Sequence, residues 1–441
     1  MKVLFISLGC DKNLTDSEAM LGLLNQAGYT ITDDEQEAEV IVVNTCSFIH
    51  DAKEESINTL LEMGQLKETG SCKALIAAGC LAQRYHKEIF KEIPEVDGIV
   101  GTASYDEIVS VVEAALKKQK AQALEPLNRL PAAGGKRLLT TGGWYAYLKI
   151  AEGCDKHCTY CIIPKIRGEY RSIPMEELIL QAKELADQGV KELILVAQET
   201  TVYGQDLYGK KMLPVLLKEL AKLQGIVWIR LLYCYPEEIT EELIQVIKTE
   251  KKICHYLDLP IQHANDEILK RMGRKTNQKQ LVEKIKRLRE EIPDLVLRTT
   301  LIAGFPGETK EQHREVLEFV DTIEFERLGV FSYSAEEDTP AALFPNQVSE
   351  EEKEAWRDEI MELQQEIVFE QAQSRIGEQF TVLIEGKISG EDAYIGRSYM
   401  DAPNVDGYVF VNTKEELFSG DFVQVRITGA AEYDLIGEIE E

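Results

Sequence analysis

The sequence predicts an α/β protein made of three units: a parallel α/β domain, a partial TIM-like (β/α)6 barrel and a small antiparallel β-barrel. Three observations support this fold class. Apolar strand-like runs alternate with amphipathic helical stretches over most of the chain, which is typical of parallel sheets. A stretch rich in Pro and Gly interrupts the alternation at residues 119–139. From residue 373 onward, short runs of alternating polarity lie between Gly and Asp turns.

Length and hydropathy limit the organisation of the chain. Its 441 residues suffice for about three domains of ordinary size. We expect a domain at residues 1–118, a linker at 119–139, a second domain at 140–372 and a third at 373–441. The start has no apolar run long enough for a signal peptide, and no later run approaches ~18 uninterrupted apolar residues. We therefore expect a cytoplasmic protein without a membrane partner, and separately we expect a monomer.

The net charge limits the possible partners of the protein, and the cysteine content indicates its redox compartment. The formal net charge of −28 repels a phosphate backbone over most of the surface, whereas a basic protein is easier to accommodate. Nine cysteines, an odd number without a secretory signal, indicate a reducing compartment in which thiols serve as ligands.

Three predicted strands of the first domain are each followed by a cysteine. The strands lie at residues 2–9, 39–45 and 73–78, and they precede Cys10, Cys46 and Cys80. The carboxyl ends of parallel strands lie on one edge of a sheet, so we expect the three thiols to converge on one ligand. A single cysteine is more often a small buried core residue, and the inference depends on the repeat at spacings of 36 and 34 residues.

The segments between these strands are predicted to be helical. A helix is expected from Thr15 to Ala27, because Thr15 and Glu18 are spaced as a capping box and a glycine follows the end. The remaining cysteines, Cys72, Cys234 and Cys254, are assigned to packing.

The second domain contains six strand-like runs at intervals that suit βα units. They lie at residues 144–150, 192–198, 227–233, 256–262, 295–304 and 327–333. Six strands alternating with helices predict an incomplete TIM-like barrel, whose chemistry belongs at the carboxyl-terminal mouth. A charged helix at residues 348–377 closes this region.

A cysteine triplet follows the first of the six strands. Cys154, Cys158 and Cys161 form the pattern CxxxCxxC, and the position after a strand places them at the predicted mouth. A cubane 4Fe-4S cluster held by three cysteines keeps one iron free for a substrate. The alternative is a structural zinc loop with His157 as the fourth ligand.

Other residues near the predicted mouth carry less specific signals. The run GFPGET at residues 304–309 is either a ligand-binding loop or an ordinary turn. His263 is more readily a satisfied rim residue than a ligand. Gln198 and Gln262 are candidates for ligand binding, and Tyr160 is a candidate for stacking on a ligand, although packing against the protein is equally open. The basic residues are candidates for offsetting an anionic cluster, although a solvated patch is equally open: Lys156, Lys165 and Arg167.

The triplet CDKHCTYC matches the motif of radical S-adenosylmethionine (SAM) enzymes, and the whole chain resembles the methylthiotransferase family of that class. Members have an amino-terminal cluster domain, a radical SAM core and a carboxyl-terminal TRAM domain. One branch modifies adenosine in transfer RNA, and another modifies an aspartate of small-subunit ribosomal protein twelve. The opening SLGCDKNLTDSE and the tail SYMDAPNVDGYVFV resemble the protein-modifying branch.

The resemblance implies a reaction and its cofactors. It implies a 4Fe-4S cluster on each cysteine triad and SAM as both radical source and methyl donor. The product would carry a methylthio group on the β-carbon of the aspartate, and a flavodoxin or ferredoxin would supply electrons. The resemblance implies that Gly304, Phe305, Pro306 and Gly307 contact SAM, and the positions of Tyr160 in the cysteine loop and of Gln198 at a strand end make them further candidates.

Charge gives an independent argument about the substrate. Residues 373–441 contain 14 Asp plus Glu and 5 Lys plus Arg, a net charge of −9. Such a surface disfavours transfer RNA and attracts a basic ribosomal protein, although acidic residues can also serve solubility alone. Transfer RNA modification and a non-catalytic iron-sulfur or zinc scaffold remain the alternatives.

Overall fold

The computed structural model describes residues 1–132 and 136–439. Residues 133–135 of the predicted linker and residues 440–441 of the predicted third domain lie outside the described residues. Within the described part, the strands form two six-stranded sheets, a closed five-stranded barrel and one two-stranded pair. None of the helices in these two ranges has the length and apolar character that crossing a bilayer requires.

The first sheet is parallel, and its central strands are buried on both faces because helices cover both sides. The strand order is β2-β1-β3-β4-β5-β6. Three of these strands correspond to the predicted ones, and β6 lies within the range predicted as a linker. The bounds are β1 (Lys2–Ser7), β2 (Thr30–Ile31), β3 (Val40–Thr45), β4 (Ala74–Ala78), β5 (Val96–Val100) and β6 (Ala121–Ala123).

The second sheet confirms the predicted partial barrel. Its six strands run in parallel in the order β14-β13-β12-β11-β10-β7, and the sheet does not close. A short antiparallel pair, β8 with β9, flanks the cysteine triplet. The bounds are β7 (Tyr145–Lys149), β8 (Ala151–Glu152), β9 (Arg171–Ser172), β10 (Glu192–Val196), β11 (Trp228–Leu231), β12 (Ile253–Asp258), β13 (Val296–Ala303) and β14 (Arg327–Ser332).

Helices cover both sheets. Those of the first unit are α1 (Asp11–Gln26), α2 (His50–Thr69), α3 (Gly79–Arg84), α4 (His86–Glu92) and α5 (Ile108–Leu116). Those of the barrel are α6 (Ile163–Arg167), α7 (Met175–Asp187), α8 (Gln205–Tyr208), α9 (Leu213–Ala221), α10 (Glu241–Thr249), α11 (Asp266–Arg271), α12 (Gln278–Glu291), α13 (Lys310–Ile323) and α14 (Glu350–Ser374).

The predicted start of the first helix is wrong. Helix α1 begins at Asp11, directly after Cys10, which occupies the N-cap position. Thr15 donates its hydroxyl to Lys12 O instead of capping the helix. The carboxylate of Glu18 binds Arg137 and Thr140, so tertiary contacts use the group that the capping box would need.

The third unit is a closed barrel in the order β15-β16-β17-β19-β18. The predicted small barrel is confirmed, with one correction: β17 and β19 pair in parallel, while the other pairs are antiparallel. Strand β19 was not predicted. The bounds are β15 (Gln379–Lys387), β16 (Ala393–Arg397), β17 (Val409–Asn412), β18 (Phe422–Ala431) and β19 (Asp434–Ile439).

The two outer units contact opposite ends of the central barrel. Glu192, the first residue of β10, forms fully buried ion pairs with Arg230 (2.7 Å) of β11 and with Arg397 (2.8 Å) of the third unit. At the other end, Lys149 closes β7 and pairs with Asp16 of α1. The first unit therefore lies at the carboxyl-terminal mouth, where the cysteine triplet is.

Candidate active site

The cysteine triplet of the central unit lies on the loop between β8 and α6. Cys154 and Cys158 are buried and Cys161 is partly exposed. Main-chain hydrogen bonds hold the loop, from Cys154 N to Gly168 O (3.1 Å) and from Thr159 N to Met272 O (2.9 Å). The three cysteines therefore lie on one short loop, which main-chain hydrogen bonds anchor at Cys154 and at Thr159.

Burial raises the pKa of the Cys154 thiol to about 12 and also raises the pKa of Cys161. The neighbouring Cys158 sulfur raises the pKa of both thiols further. Metal binding replaces thiol protons, so a cationic cluster suits this group of sulfurs.

The structure also brings together Cys10, Cys46 and Cys80. Strands β1, β3 and β4 are neighbours, and their register aligns Ser7 with Asn44 and Asn44 with Ala78, so the three cysteines leave the sheet at one level. Burial raises the pKa of Cys80 to about 12 and raises the pKa of Cys46, and Cys10 adds to both shifts.

Asn13 holds the three cysteine loops of this triad together. Its Nδ2 donates to Leu8 O (2.9 Å) and Thr45 O (3.0 Å), which precede Cys10 and Cys46. Its Oδ1 lies 3.7 Å from the Cys80 sulfur. Asn13 was not among the predicted site residues, although its place three positions after Cys10 was a usable signal.

Two glycines allow these loops to approach closely. Gly9 has φ +85°, and a Cβ there would lie 2.8 Å from Cys46 Cβ. Gly79 has φ +86°, and a Cβ there would meet Asn44 Oδ1 and lie 2.6 Å from Thr45 O. The chain thus needs glycine directly before Cys10 and Cys80.

The six cysteines suit clusters in which each sulfur binds its own iron. No group of three His, Cys, Asp or Glu side chains in residues 1–132 and 136–439 is placed to hold a single metal ion. In a cubane the cysteines bind separate irons at separate corners, so they need not converge on one point. His157, the fourth ligand of the zinc alternative, is exposed.

The segment that follows β11 contacts the central triad and the two residues directly after Cys10. Tyr235 Oη lies 3.8 Å from the Cys158 sulfur. Two residues earlier, Tyr233 donates to Asp11 Oδ2 (3.3 Å), and the Lys12 ammonium lies 3.2 Å from the centre of its ring. The two cysteine triads therefore share the mouth of one barrel.

The residues predicted to contact SAM differ in whether their side chains and amides are already used by contacts within the protein. Gln198 donates to Glu152 Oε1 (2.8 Å) and keeps a buried Oε1 without a hydrogen-bond partner among the described residues. Tyr160 packs beside the apolar cluster that contains Phe305, whose side chain is fully buried. The amides of Gly304 and Phe305 already donate to Glu308 Oε2 (2.8 and 2.9 Å).

The rim residues differ in their contacts. His263 is buried and its Nδ1 accepts from Asn265 N (2.9 Å), while its Nε2 lies 3.2 Å from Glu308 Oε1 and makes no hydrogen bond within the described residues. Gln262 has φ +73° and forms a bridge with Leu301. Pro306 is buried, Gly307 is partly exposed and Lys165 is exposed.

Two charged groups beside the triplet were missed. Glu199 follows Gln198, and its buried Oε2 has no hydrogen-bond partner in the described ranges, although Lys156 Nζ is 3.6 Å away. Burial raises the pKa of Glu199 to about 7. Arg274 lies 4.3 Å from the Tyr235 ring, and its buried Nε and Nη1 likewise have no partner there.

Three family models match separate parts of the chain. Residues 2–101 match the uncharacterized protein family UPF0004, residues 148–320 match the radical SAM superfamily, and residues 376–439 match the TRAM domain. The two cysteine triads fall in the first and second of these segments.

Full-length relatives decide the family. Proteins named ribosomal protein uS12 methylthiotransferase RimO are 62% identical in Lachnoclostridium phytofermentans, over 100% of both chains, and 50% identical in Clostridioides difficile, over 100% of this chain and 99% of that one. The chain belongs to the RimO family. The RimO protein of Acetivibrio thermocellus is 52% identical over 99% of this chain and 98% of its own.

Solved structures support the fold of this RimO family member. The radical SAM methyltransferase TsrM from Kitasatospora setae, with cobalamin and a 4Fe-4S cluster bound, aligns with a TM-score of 0.54 over 86% of this chain and 80% of its own, at 13% identity. The cobalamin-dependent radical SAM enzyme OxsB aligns with a TM-score of 0.50 over 83% and 56%, at 12% identity. At such identities, the likeness concerns the fold alone.

Proposed function

We propose that the chain transfers a methylthio group to the β-carbon of an aspartate in ribosomal protein uS12, by radical chemistry that starts from SAM. The observation that carries the proposal is the full-length identity of 62% and 50% to proteins named uS12 methylthiotransferases. Two cysteine triads at one barrel mouth support it, because the reaction needs a radical source and a sulfur carrier close together.

In this proposal each triad holds one 4Fe-4S cluster. Residues 1–118 supply Cys10, Cys46 and Cys80, and residues 140–372 supply Cys154, Cys158 and Cys161; residues 119–139 link them, and residues 373–441 form the TRAM domain. Three thiolates leave one iron of a cubane uncovered, so each site keeps a place for an outside ligand. Bound at the central triad, such a cluster supplies the electron for reductive cleavage of SAM.

The chain offers complementary charges for the methionine part of SAM. The Oε2 of Glu199, which among the described residues accepts no hydrogen bond and has only Lys156 Nζ at 3.6 Å, suits an ammonium group, and the unpartnered N–H groups of Arg274 suit a carboxylate. Tyr160, Gln198 and the segment 304–307 complete the proposed SAM site. Since the Gly304 and Phe305 amides are already bonded to Glu308, that segment contributes through other atoms.

The substrate is proposed to be basic. The exposed acids of the third unit outnumber its exposed bases and give it a negative surface in solution, to which a basic ribosomal protein is attracted. They are Glu378, Glu391, Asp392, Glu415, Glu416, Glu432 and Glu438. We place the reaction in the cytoplasm, on or near the small ribosomal subunit, with a flavodoxin or ferredoxin as electron donor.

The test is an anaerobic reconstitution of the full chain with iron and sulfide. About eight irons per chain are expected, together with reductive cleavage of SAM. The enzyme is then offered uS12 and transfer RNA in separate reactions, and mass spectrometry detects an added methylthio group. Modified transfer RNA with unmodified uS12 would overturn the proposal, as would about one zinc per chain without SAM cleavage.

A further inference from the structure

Arg167 extends from the central unit into the amino-terminal cysteine site. It is the last residue of α6, six positions after Cys161, and only 2% of its surface is exposed. Its Nη1 lies 2.8 Å from Asp16 Oδ2 and 3.1 Å from Glu152 Oε2, and its Nη2 donates to Asn13 Oδ1. One short segment therefore carries the central cysteines and a cation of the other triad.

The hydrogen bond to Asn13 is specific because the Asn13 amide has one possible orientation. Both Nδ2 hydrogens are used by Leu8 O and Thr45 O, which directs Oδ1 toward Arg167 and Cys80. A metal-bound Cys80 is a thiolate and has no proton to donate. Arg167 then remains as the donor that keeps Asn13 Oδ1 satisfied and Asn13 in place.

Arg167 shares its two carboxylate partners with a second buried cation. Asp16 and Glu152 also bind Lys149, whose Nζ lies 2.8 Å from Glu152 Oε2. The four buried side chains carry two positive and two negative charges, so the group is balanced before the cysteines are counted. Thiolates at Cys10, Cys46 and Cys80 add negative charge on the Arg167 side, and Cys46 and Cys80 lie in a buried region where screening by water is weak, whereas Cys10 is exposed.

We propose that Arg167 is a positioning residue for the amino-terminal cluster: it holds Asn13 against Cys80 and offsets the negative charge of the thiolate-bound iron. The inference rests on the proposed function, in which Cys10, Cys46 and Cys80 hold a 4Fe-4S cluster. Hydrogen bonds and charge near the sulfurs are known to set the potential of such clusters. Arg167 therefore raises the reduction potential of this cluster, because the reduced state is the more negative one.

The experiment isolates the amino-terminal cluster in the full chain. Cys154, Cys158 and Cys161 are replaced by alanine together, and the protein is reconstituted anaerobically without SAM or uS12. A redox titration followed by electron paramagnetic resonance then compares Arg167 with Arg167→Gln and Arg167→Lys. We expect a more negative midpoint potential for Arg167→Gln and a potential near that of the parent for Arg167→Lys.

Two outcomes overturn the proposal: an unchanged potential in Arg167→Gln, or an equal shift in Arg167→Lys. If Arg167→Gln fails to retain iron, Arg167→Lys decides, since retained iron there supports the charge role and equal loss in both variants contradicts it. Arg230→Gln is the matched control, because Arg230 is equally buried and ion-paired but joins β11 to the third unit. It should leave the potential unchanged.

A second readout uses the chain with all six cysteines. For Arg167→Gln, we expect the ratio of methylthiolated uS12 to 5'-deoxyadenosine to fall by about tenfold or more, as for other groups that orient metal ligands. SAM cleavage without uS12 should continue. An unchanged ratio contradicts the proposal. Since the potential is measured without substrate, inactivity of the parent enzyme toward uS12 would contradict the proposed function separately.

Discussion

The two cysteine triads reach similar surroundings by different routes. The central triad comes from one loop of eight residues, whereas the amino-terminal triad comes from three strand ends that span residues 10–80. In both, burial raises thiol pKa values, and a buried arginine lies beside the sulfurs, Arg274 in one case and Arg167 in the other. The difference teaches that a local site depends on loop anchoring, while a dispersed site depends on sheet register and on side chains such as Asn13.

The largest expected effect separates the two triads by reaction step. Cys158→Ala should abolish 5'-deoxyadenosine formation and methylthiolation, because the central cluster is the proposed electron source. Cys46→Ala should retain SAM cleavage and lose methylthiolation. Chromatography of 5'-deoxyadenosine and mass spectrometry of uS12 measure both. Normal methylthiolation by Cys46→Ala would show that the amino-terminal triad is not a cluster site.

Gly79→Ala tests the dependence of the dispersed triad on close approach. The new Cβ would meet Asn44 Oδ1 and Thr45 O at a positive φ, so we expect a loss of ~2–5 kcal/mol in the free energy of unfolding. Iron should fall from about eight to about four per chain. Gly386→Ala is the control, since nothing lies within 4 Å of a Cβ there. Unchanged iron and stability in Gly79→Ala would contradict the packing argument.

Asn13→Ala should have a smaller effect that is confined to the same triad. It removes one hydrogen bond to the buried Thr45 carbonyl and one to the partly buried Leu8 carbonyl, and a buried carbonyl left without a donor costs about 1–3 kcal/mol. We expect weaker iron loading at the amino-terminal site, measured by titration, and unchanged SAM cleavage. Asn25→Ala, an exposed change on the same helix, is the control. If both variants bind iron equally, Asn13 does not organise the site.

The smallest effect on iron binding at either triad is expected from Glu192→Gln, because Glu192 lies at the opposite end of the barrel; this variant should affect stability instead. Burial favours a high pKa for Glu192, but Arg397 and Arg230 hold it below the usual value. Its contribution to stability is therefore present above an unfolded pKa of about 4.3 and is lost as pH falls through the folded pKa. The variant should be less stable by ~3–5 kcal/mol at pH 7, and this deficit should shrink in acid.

Denaturant unfolding of the iron-free chain at several pH values measures this deficit. Iron content of both triads should equal that of the parent, because the ion pairs join β10 to the third unit and not to the cysteine loops. A selective loss of iron from one triad would show that the two ends of the barrel are coupled. It would contradict the view that each triad depends only on the loops and side chains around it.

Local patterns were predictable where they reflect only neighbouring residues. The six barrel strands and the CxxxCxxC loop were identified because apolar runs and ligand spacing lie along the chain. The start of α1 was wrong because the Glu18 carboxylate binds Arg137, a partner 119 residues away. Strand β19 was missed although it forms a hairpin with β18, because the two turn residues, Glu432 and Tyr433, are not the Gly, Asn or Asp that mark such turns.

The sequence by itself determined the fold class, the succession of the three units and the two groups of cysteines, since periodicity and spacing are properties of the chain alone. Only the tertiary structure decided that both groups open at one barrel mouth and that Asn13, Glu199, Arg274 and Arg167 surround them. These contacts join residues far apart in sequence, and a buried charge reveals its partners only when the units that enclose it are packed together.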